Sequence, residues 1–339
     1  MTVSRSFSQA ARVRATRRVS GWLRVAAAVL AFGAVATAHA AYPERPVTLV
    51  VTYPPGGTVD VVARLLGPKL ADALGQPVVI ENRGGAGGMI GGAVVAKAKP
   101  DGYTLMLDAS NHGQNPALHS RMQFDTLTAF APVSLLLRVP NVLVVTPSSP
   151  IQSVDDLIKA GSATTGSGVY YASAGPGSAQ HLAGELFNLM AKTHLEHVAY
   201  KGGGPAMIDV MGGQVPVMFA SMGSSWQHVK SGRLRAVAVG GAQRSPAAPE
   251  LPTIAESGVP GYASYEWNAI FAPAGTPDAI VQKLSQTLAQ VLKDPEIANQ
   301  LAGLGAEVIG STPEELDTFR RAEIEKWQKV AAEANLKLD

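Results

Sequence analysis

The stretch VTLVVTYPPGGTVDVVARLL (residues 47–66) decides how the chain is read. Its opening apolar run is unbroken, rich in valine and bounded by Pro and Gly, which predicts a buried strand. After Pro-Pro-Gly-Gly, apolar residues return at helical spacing as Val59, Val62, Leu65, Leu66, Leu70 and Leu74, and Gly75 supplies a stop. Pro68 lies within that pattern, so a kink or an early helix end is expected there. A helix start fed by such a turn presents unpaired N–H groups and about half a positive charge, favouring an anion by roughly 0.3–2 kcal/mol. Gly56, Gly57 and Thr58 let an anion approach the backbone, and Asp60 falls in the first helical turn.

Working outward, the alternation of strand and helix continues. PVVIEN reads as a strand, RGGAGGMIGG as a glycine turn entering a small-residue helix, and YTLMLDA as a further strand. This βαβαβ order predicts a parallel sheet with helices on its faces. NVLVVTP is a strand, and SVDDLIKAG a short helix capped by Ser153 with acidic residues in its first turn. GVYYASAGPGSAQHLAGELFNLMAK repeats the opening theme: strand, glycine turn, helix. Its turn offers Gly175, Gly177 and Ser178, with His181 one turn further on. LEHVAYKGGGPAMIDVMGGQ gives another strand and helix, and VPVMFAS and RLRAVAV close this half. GAQRSPAAPELPTIAESGVPGYAS is a long loop. A strand resumes from Trp267, followed by an amphipathic helix with Pro in its first turn and a last, highly charged helix expected on the outside. Two α/β halves, each with one glycine turn at a helix start, predict a clamp around an anion, although either turn alone is equally consistent with a structural role. Pro140-Asn141 and Trp267-Asn268 mark where the chain enters and leaves the middle, as a pair of hinge strands or as ordinary surface connections.

The first forty residues stand apart. Arg5, Arg12, Arg14, Arg17, Arg18 and Arg24 precede a short run of small apolar residues and Ala38-His39-Ala40, the pattern of a secretory signal peptide cleaved before Ala41. The apolar run is too short to span a bilayer. Arg17-Arg18 leaves a twin-arginine route open beside the general secretory one. The whole chain carries 28 basic and 26 acidic residues; without the six arginines of the leader it has 22 against 26, a formal −4. The basic balance therefore belongs to the leader and does not argue for nucleic-acid or membrane partners. Cysteine is absent, and an exported chain of this length buries enough core without disulfides.

Rival chemistries fit poorly. No window satisfies G-x-G-x-x-G, and no Gly-Lys-Ser/Thr follows a glycine run, so no nucleotide cofactor is expected. YASAG (residues 171–175) misses the nucleophile elbow by its first glycine. Ser173 or Ser178 with His181 or Asp209 would be the candidates for an exported hydrolase or lyase, but serines in glycine turns more often bond to backbone. His194 and His197 are three apart on an expected strand and so face opposite sides, and no other metal-ligand spacing is present.

Several stretches resemble one family in a fixed order: YPERPVTLVVTYPPGGTVDVVARLL, GQPVVIENRGGAGGMIGG, KPDGYTLML, GPGSAQHLAGELF, YKGGGPAMIDVMGGQV, LPTIAESGVPGY and FAPAGTP. They are similar to the Bug family, the exported solute-binding receptors of tripartite tricarboxylate transporters. The resemblance spans residues 42 to the end and implies an α/β type II periplasmic binding protein fold. It implies two domains, residues 41–140 with 267–339 and residues 141–266, joined by two hinge strands around a ligand cleft. It further implies a non-enzymatic receptor that closes on a small carboxylate (a di- or tricarboxylate, an acidic amino acid or an aromatic acid). The chain would be a periplasmic monomer without cofactor, partnered by the transporter's membrane subunits or, alternatively, by a sensor kinase.

The implied contacts are Tyr53, Pro55, Gly56, Gly57, Thr58 and Asp60 in the first loop. In the second they are Gly175, Pro176, Gly177, Ser178 and His181. Ser110 and Asn115 would line the rim of the first domain, and Tyr200, Lys201, Asp209, Ala220 and Ser221 that of the second. Residues 110–115 are expected to be loop. Tyr53 and Thr58 depart from the family's usual Phe and Pro/Ser, adding hydroxyls that favour a more polar ligand. Asp60 and Asp209 are expected to orient water or to accept from an ammonium.

Overall fold

The computed structural model describes residues 42–162, 168–333 and 336–338. The expected signal peptide and its cleavage site lie outside them. From Arg45 onward the chain forms one compact unit.

Its strands are β1 (Val47–Val51), β2 (Val78–Asn82), β3 (Thr104–Ala109), β4 (Phe130–Val145), β5 (Tyr170–Ser173), β6 (Glu196–Ala199), β7 (Val217–Ser221), β8 (Arg235–Val239), β9 (Tyr265–Pro273) and β10 (Glu307–Val308). They hydrogen-bond in the order β2-β1-β3-β9-β4-β7-β5-β6, with β8 and β10 also pairing with β4. β1 runs parallel to β2 and β3, as the βαβαβ pattern predicts, and β5 runs parallel to β6 and β7. β4 joins these two parallel groups. Its first part pairs antiparallel with β9, from Phe130↔Pro273 to Pro140↔Tyr265, and Asn141–Val145 pair with β7 and β8. The two crossing points read from the sequence therefore lie side by side, with Arg138 opposite Trp267. Asn141 Nδ2 braces them by donating to Ser264 Oγ at 2.8 Å.

The helices are α1 (Thr58–Leu74), α2 (Met89–Ala96), α3 (Asn111–Leu118), α4 (Val154–Gly161), α5 (Ala179–Ala191), α6 (Gly203–Met211), α7 (Met222–Lys230), α8 (Asp278–Leu292), α9 (Pro295–Gly303) and α10 (Pro313–Glu333). α1 ends as expected: Gly75 adopts φ 71° and its N–H bonds back to Ala71 O at 2.9 Å. Pro68, however, neither ends nor divides this helix. An interior proline costs about 3 kcal/mol, but α1 buries Val62, Leu66 and Leu70, each contributing roughly 1.5–3 kcal/mol. α4 carries the Ser153 cap as a full capping box with Asp156.

Two other expectations need correction. Residues 111–118 form a helix rather than a loop, with Asn111, His112, Gln114 and Asn115 all buried. That polar sequence hides its helix, because the usual apolar stripe is replaced by buried polar side chains, of which Asn111 and Asn115 donate to the carbonyls of Gly177 and Gly87. The charged α10 lies outside on one face only. Leu316, Arg320, Ile324, Trp327 and Ala331 form a buried stripe, and Arg320 is accommodated by Asp317 (2.7 Å) and by the carbonyls of Thr126, Leu127 and Phe130. α10 serves two apolar clusters. Leu316 joins Val50, Trp267 and Phe271, whereas Trp327, Val330 and Ala331 join Leu143, Tyr171, Phe187 and Phe219.

Candidate functional site

The first glycine turn leads into α1 through Gly57, an N-cap with no side chain to occupy the helix N–H groups. A Cβ built on Gly56 or Gly57 would meet nothing within 4 Å, so this backbone faces open space. Asp60, 3% exposed, holds the turn from beneath. Its carboxylate accepts from Gly56 N–H, Arg64 Nε and Asn82 Nδ2, each at 2.9 Å. Burial pushes the Asp60 carboxyl upward, but the bonds from Arg64, Gly56 and Asn82 outweigh it and hold it below the usual carboxylate range. Asn82 Nδ2 also donates to Tyr53 O at 3.0 Å. Asp60 therefore braces the turn through three bonds, two on Oδ2 and one on Oδ1.

The second turn is built differently. Ser178 caps α5, its Oγ accepting from His181 N at 3.2 Å and donating to Gly175 O at 2.7 Å. Gly177 N donates to His181 Nδ1 at 3.0 Å, and Gly175 N donates to Ser173 Oγ at 3.0 Å. His181 Nδ1 is thus an acceptor, leaving the ring proton on Nε2, 3.8 Å from Glu185. A Cβ on Gly177 (φ 72°) would lie 2.9 Å from Leu338 Cδ1. The second turn is therefore packed and self-capped where the first is open.

Beneath it the His181 and His197 rings stack at 4.0 Å. Burial, followed by His197, lowers His181 to about 3, and burial lowers His197 to about 4. His197 Nε2 lies 2.6 Å from Ser173 Oγ. That is the spacing of a nucleophile and base, yet Ser173 is wholly buried and also accepts from the turn backbone. Its hydroxyl fixes the turn. His194 lies outside β6, and among the described residues no group of acids and histidines can hold a metal ion.

The tertiary structure joins the two turns through a residue that sequence reasoning did not single out. Asn111 accepts from the Tyr53 hydroxyl and donates through Nδ2 to Gly177 O at 2.8 Å. A second junction meets α7: a Cβ added to Gly223 would lie 3.7 Å from Thr58 Cγ2. α7 has Ser221 at its N-cap with no side-chain cap bond, and Ser221 Oγ is buried without a regular hydrogen-bond partner. The start of α7 thus meets the start of α1 directly.

The remaining expected residues divide into exposed and engaged groups. Pro55, Pro176 and Lys201 are exposed. Tyr200 donates to Asp209 Oδ2 at 2.7 Å, and burial together with Asp209 pushes its hydroxyl up to about 12. Asp209 is half-buried and accepts this one bond on Oδ2. Ala220 is buried in β7 opposite Val142. Ser110 is wholly buried, with Oγ accepting from Trp267 N at 2.8 Å, and Asn115 donates to Gly87 O at 2.8 Å. Asn82, Asn111 and Gly223, which hold or meet the first turn, were not singled out by the sequence. Asn82 and Asn111 end or follow strands that carry a glycine turn nearby, a signal too common to select them. A surface cavity of about 470 Å³ lined by Pro116, His119, Phe124, Thr126 and Ile324 contains none of the expected site residues.

Residues 62–336 match the tripartite tricarboxylate transporter family receptor. The chain belongs to this family. Among solved structures, Rpa4515 of R. palustris with adipate is 39% identical, covering 88% of this chain and all of that one with a TM-score of 0.82. The periplasmic binding protein BugD is 35% identical over 88% of this chain and 100% of its own, at a TM-score of 0.80. MatC from Rhodopseudomonas palustris with bound malate is 33% identical over 85% and 99%, at 0.78. The fold is accordingly the α/β type II periplasmic binding protein fold, and the family is one of solute-binding receptors rather than enzymes. No catalytic role falls to Ser173 and His197. Among the described residues no helix of this family member is long and apolar enough to cross a membrane.

Proposed function

We propose that the protein is an extracytoplasmic receptor that captures a small carboxylate in a cleft and delivers it to the membrane subunits of a tripartite tricarboxylate transporter. The observation that carries this reading is the uncapped start of α1, where Gly56 and Gly57 face open space. Backbone N–H groups and the helix dipole supply the attraction, so no lysine is required there. Relatives with bound adipate and malate support the same ligand chemistry.

In this reading residues 41–140 with 267–339 form one lobe, residues 141–266 the other, and β4 and β9 the hinge. Tyr53, Pro55, Gly56, Gly57, Thr58 and Ser221 contact the solute. Gly175, Pro176, Gly177, Ser178, His181, Ser110 and Asn115 shape the wall, and Tyr200, Lys201, Asp209 and Ala220 support its far side. Export to the periplasm through the N-terminal leader completes the proposal. A thermal-shift screen of residues 41–339 against mono-, di- and tricarboxylates tests it. A ligand at 100 times its Kd adds about 2.7 kcal/mol, a shift of several degrees at this size. Carboxylates that leave the melt unchanged, confirmed by titration calorimetry on ligand-stripped protein, would refute it.

A further inference from the structure

The acids near the two turns are not equivalent. Asp60 is held by Arg64, Asn82 and the Gly56 N–H. Asp209 accepts from Tyr200. Asp108 accepts from Thr52 Oγ1 at 2.6 Å and Ala109 N at 2.9 Å, and faces His112 Nδ1 at 3.2 Å. Glu266 is different: among the described residues no cation and no backbone donor meets its carboxylate, and its polar neighbour is the Ser221 hydroxyl, short of regular hydrogen-bond geometry.

Its position is fixed by the sheet. Glu266 lies on β9 opposite Val139, while Ser221 ends β7 opposite Asn141, two residues further along β4. Ser221 is also the N-cap of α7, the helix that meets Thr58 through Gly223. Tyr53, on the first turn, is near enough for Glu266 and Asp108 to add to burial in raising its hydroxyl. Glu266 is only half-buried, so water reaches it, yet burial raises its carboxyl. A side chain on the wall of a narrow opening has both properties.

Resting on the receptor reading above, we infer that Glu266 determines specificity, its carboxylate accepting a hydrogen bond from a donor on the ligand. The solute is then a carboxylate that also bears an ammonium or hydroxyl group, not a plain alkanedioate. A plain diacid leaves this acceptor unsatisfied beside a second negative charge, an arrangement with a desolvation cost and no compensating bond. A ligand donor removes that cost and offers Ser221 a shared partner.

The test is titration calorimetry with matched probes: succinate, malate and aspartate; glutarate and glutamate; adipate and 2-aminoadipate. The unaltered protein is expected to bind the donor-bearing member at least about ten-fold more tightly than its plain counterpart. Glu266→Gln distinguishes the donors. It narrows the gap more for an ammonium, which loses the charge-assisted part of its bond, than for a hydroxyl, which the amide oxygen accepts nearly as well; Glu266→Leu closes both. Equal or tighter binding of the plain diacid overturns the inference, as does a preference that survives Glu266→Leu. The ranking by the unaltered protein decides even where a variant does not fold. Binding of no carboxylate overturns the receptor reading as well, whereas binding without preference overturns this inference alone.

Discussion

Asn111 Nδ2 donates to the Gly177 carbonyl at 2.8 Å, tying the start of α3 to the second glycine turn. The same side chain accepts from Tyr53, so one amide links both turns. Asn111→Ala removes both bonds and leaves a buried carbonyl unsatisfied, for an expected loss of about 1–3 kcal/mol. In the receptor reading it also weakens ligand binding, because the turns are no longer held in register. Urea melts with and without ligand separate the two effects. Unchanged stability would show that the bridge contributes nothing.

The glycines of the first turn should respond differently to alanine. Gly57 has φ −84° and open space at its Cβ, so Gly57→Ala should fold with unchanged or slightly raised stability. It should nonetheless weaken carboxylate binding at least about ten-fold, because the methyl group stands where an anion approaches the backbone. Gly56→Ala, at φ 89°, should lose about 1–2 kcal/mol from backbone strain alone. Full ligand affinity in Gly57→Ala would move the anion site elsewhere.

The stacked histidines predict an acid-sensitive second turn. Both rings are held neutral in the fold, His181 down to about 3 and His197 to about 4, mainly by burial. Their folded pKa values are depressed, so the stability they allow is complete above the unfolded value near 6.5. It falls progressively as pH drops toward about 4 and then about 3. Each ring contributes at most about 1.4 kcal/mol per pH unit. His197→Gln should flatten the decline between pH 6.5 and 5 relative to the unaltered protein, since carboxylates titrate largely below that window. Parallel stability curves would exclude this source.

Asp60 should be more costly to remove than its exposed partner Arg64. Asp60→Ala leaves the Gly56 N–H and Asn82 amide without their acceptor, for an expected loss of about 2–4 kcal/mol, whereas Arg64→Ala, at an exposed partner, should cost clearly less. Because the folded Asp60 pKa is lowered, its contribution is present above the unfolded value and disappears as pH falls through the folded one. Equal losses in the two variants would contradict the assignment of Asp60 as the brace.

Much of the fold was legible because its signals are local. The β1-turn-α1 unit, the Ser153 cap and the parallel order of β1, β2 and β3 follow from periodicity, glycine placement and the short range of βαβ connections. α3 was not legible, since its buried polar side chains mimic a loop, and one face of α10 was misplaced because its charges mask a stripe running from Leu316 to Ala331. The two turns of the candidate site were legible from their glycines, and the side chains that hold them were not. Ser178 and His181 were recognisable as turn residues, but that they cap their own helix start depends on side-chain direction within one turn.

The sequence by itself determined the α/β class, the family, and the two glycine turns at helix starts, because each rests on residues close together in the chain. The tertiary structure alone decided which turn stays open, which side chains hold each turn, that Asn111 joins the two turns and that Gly223 meets Thr58. Those relations join residues far apart along the chain, such as Asn111 and Gly177, 66 positions apart. They are set by strand order and helix packing, which determine the neighbours of a side chain after its own local structure has formed.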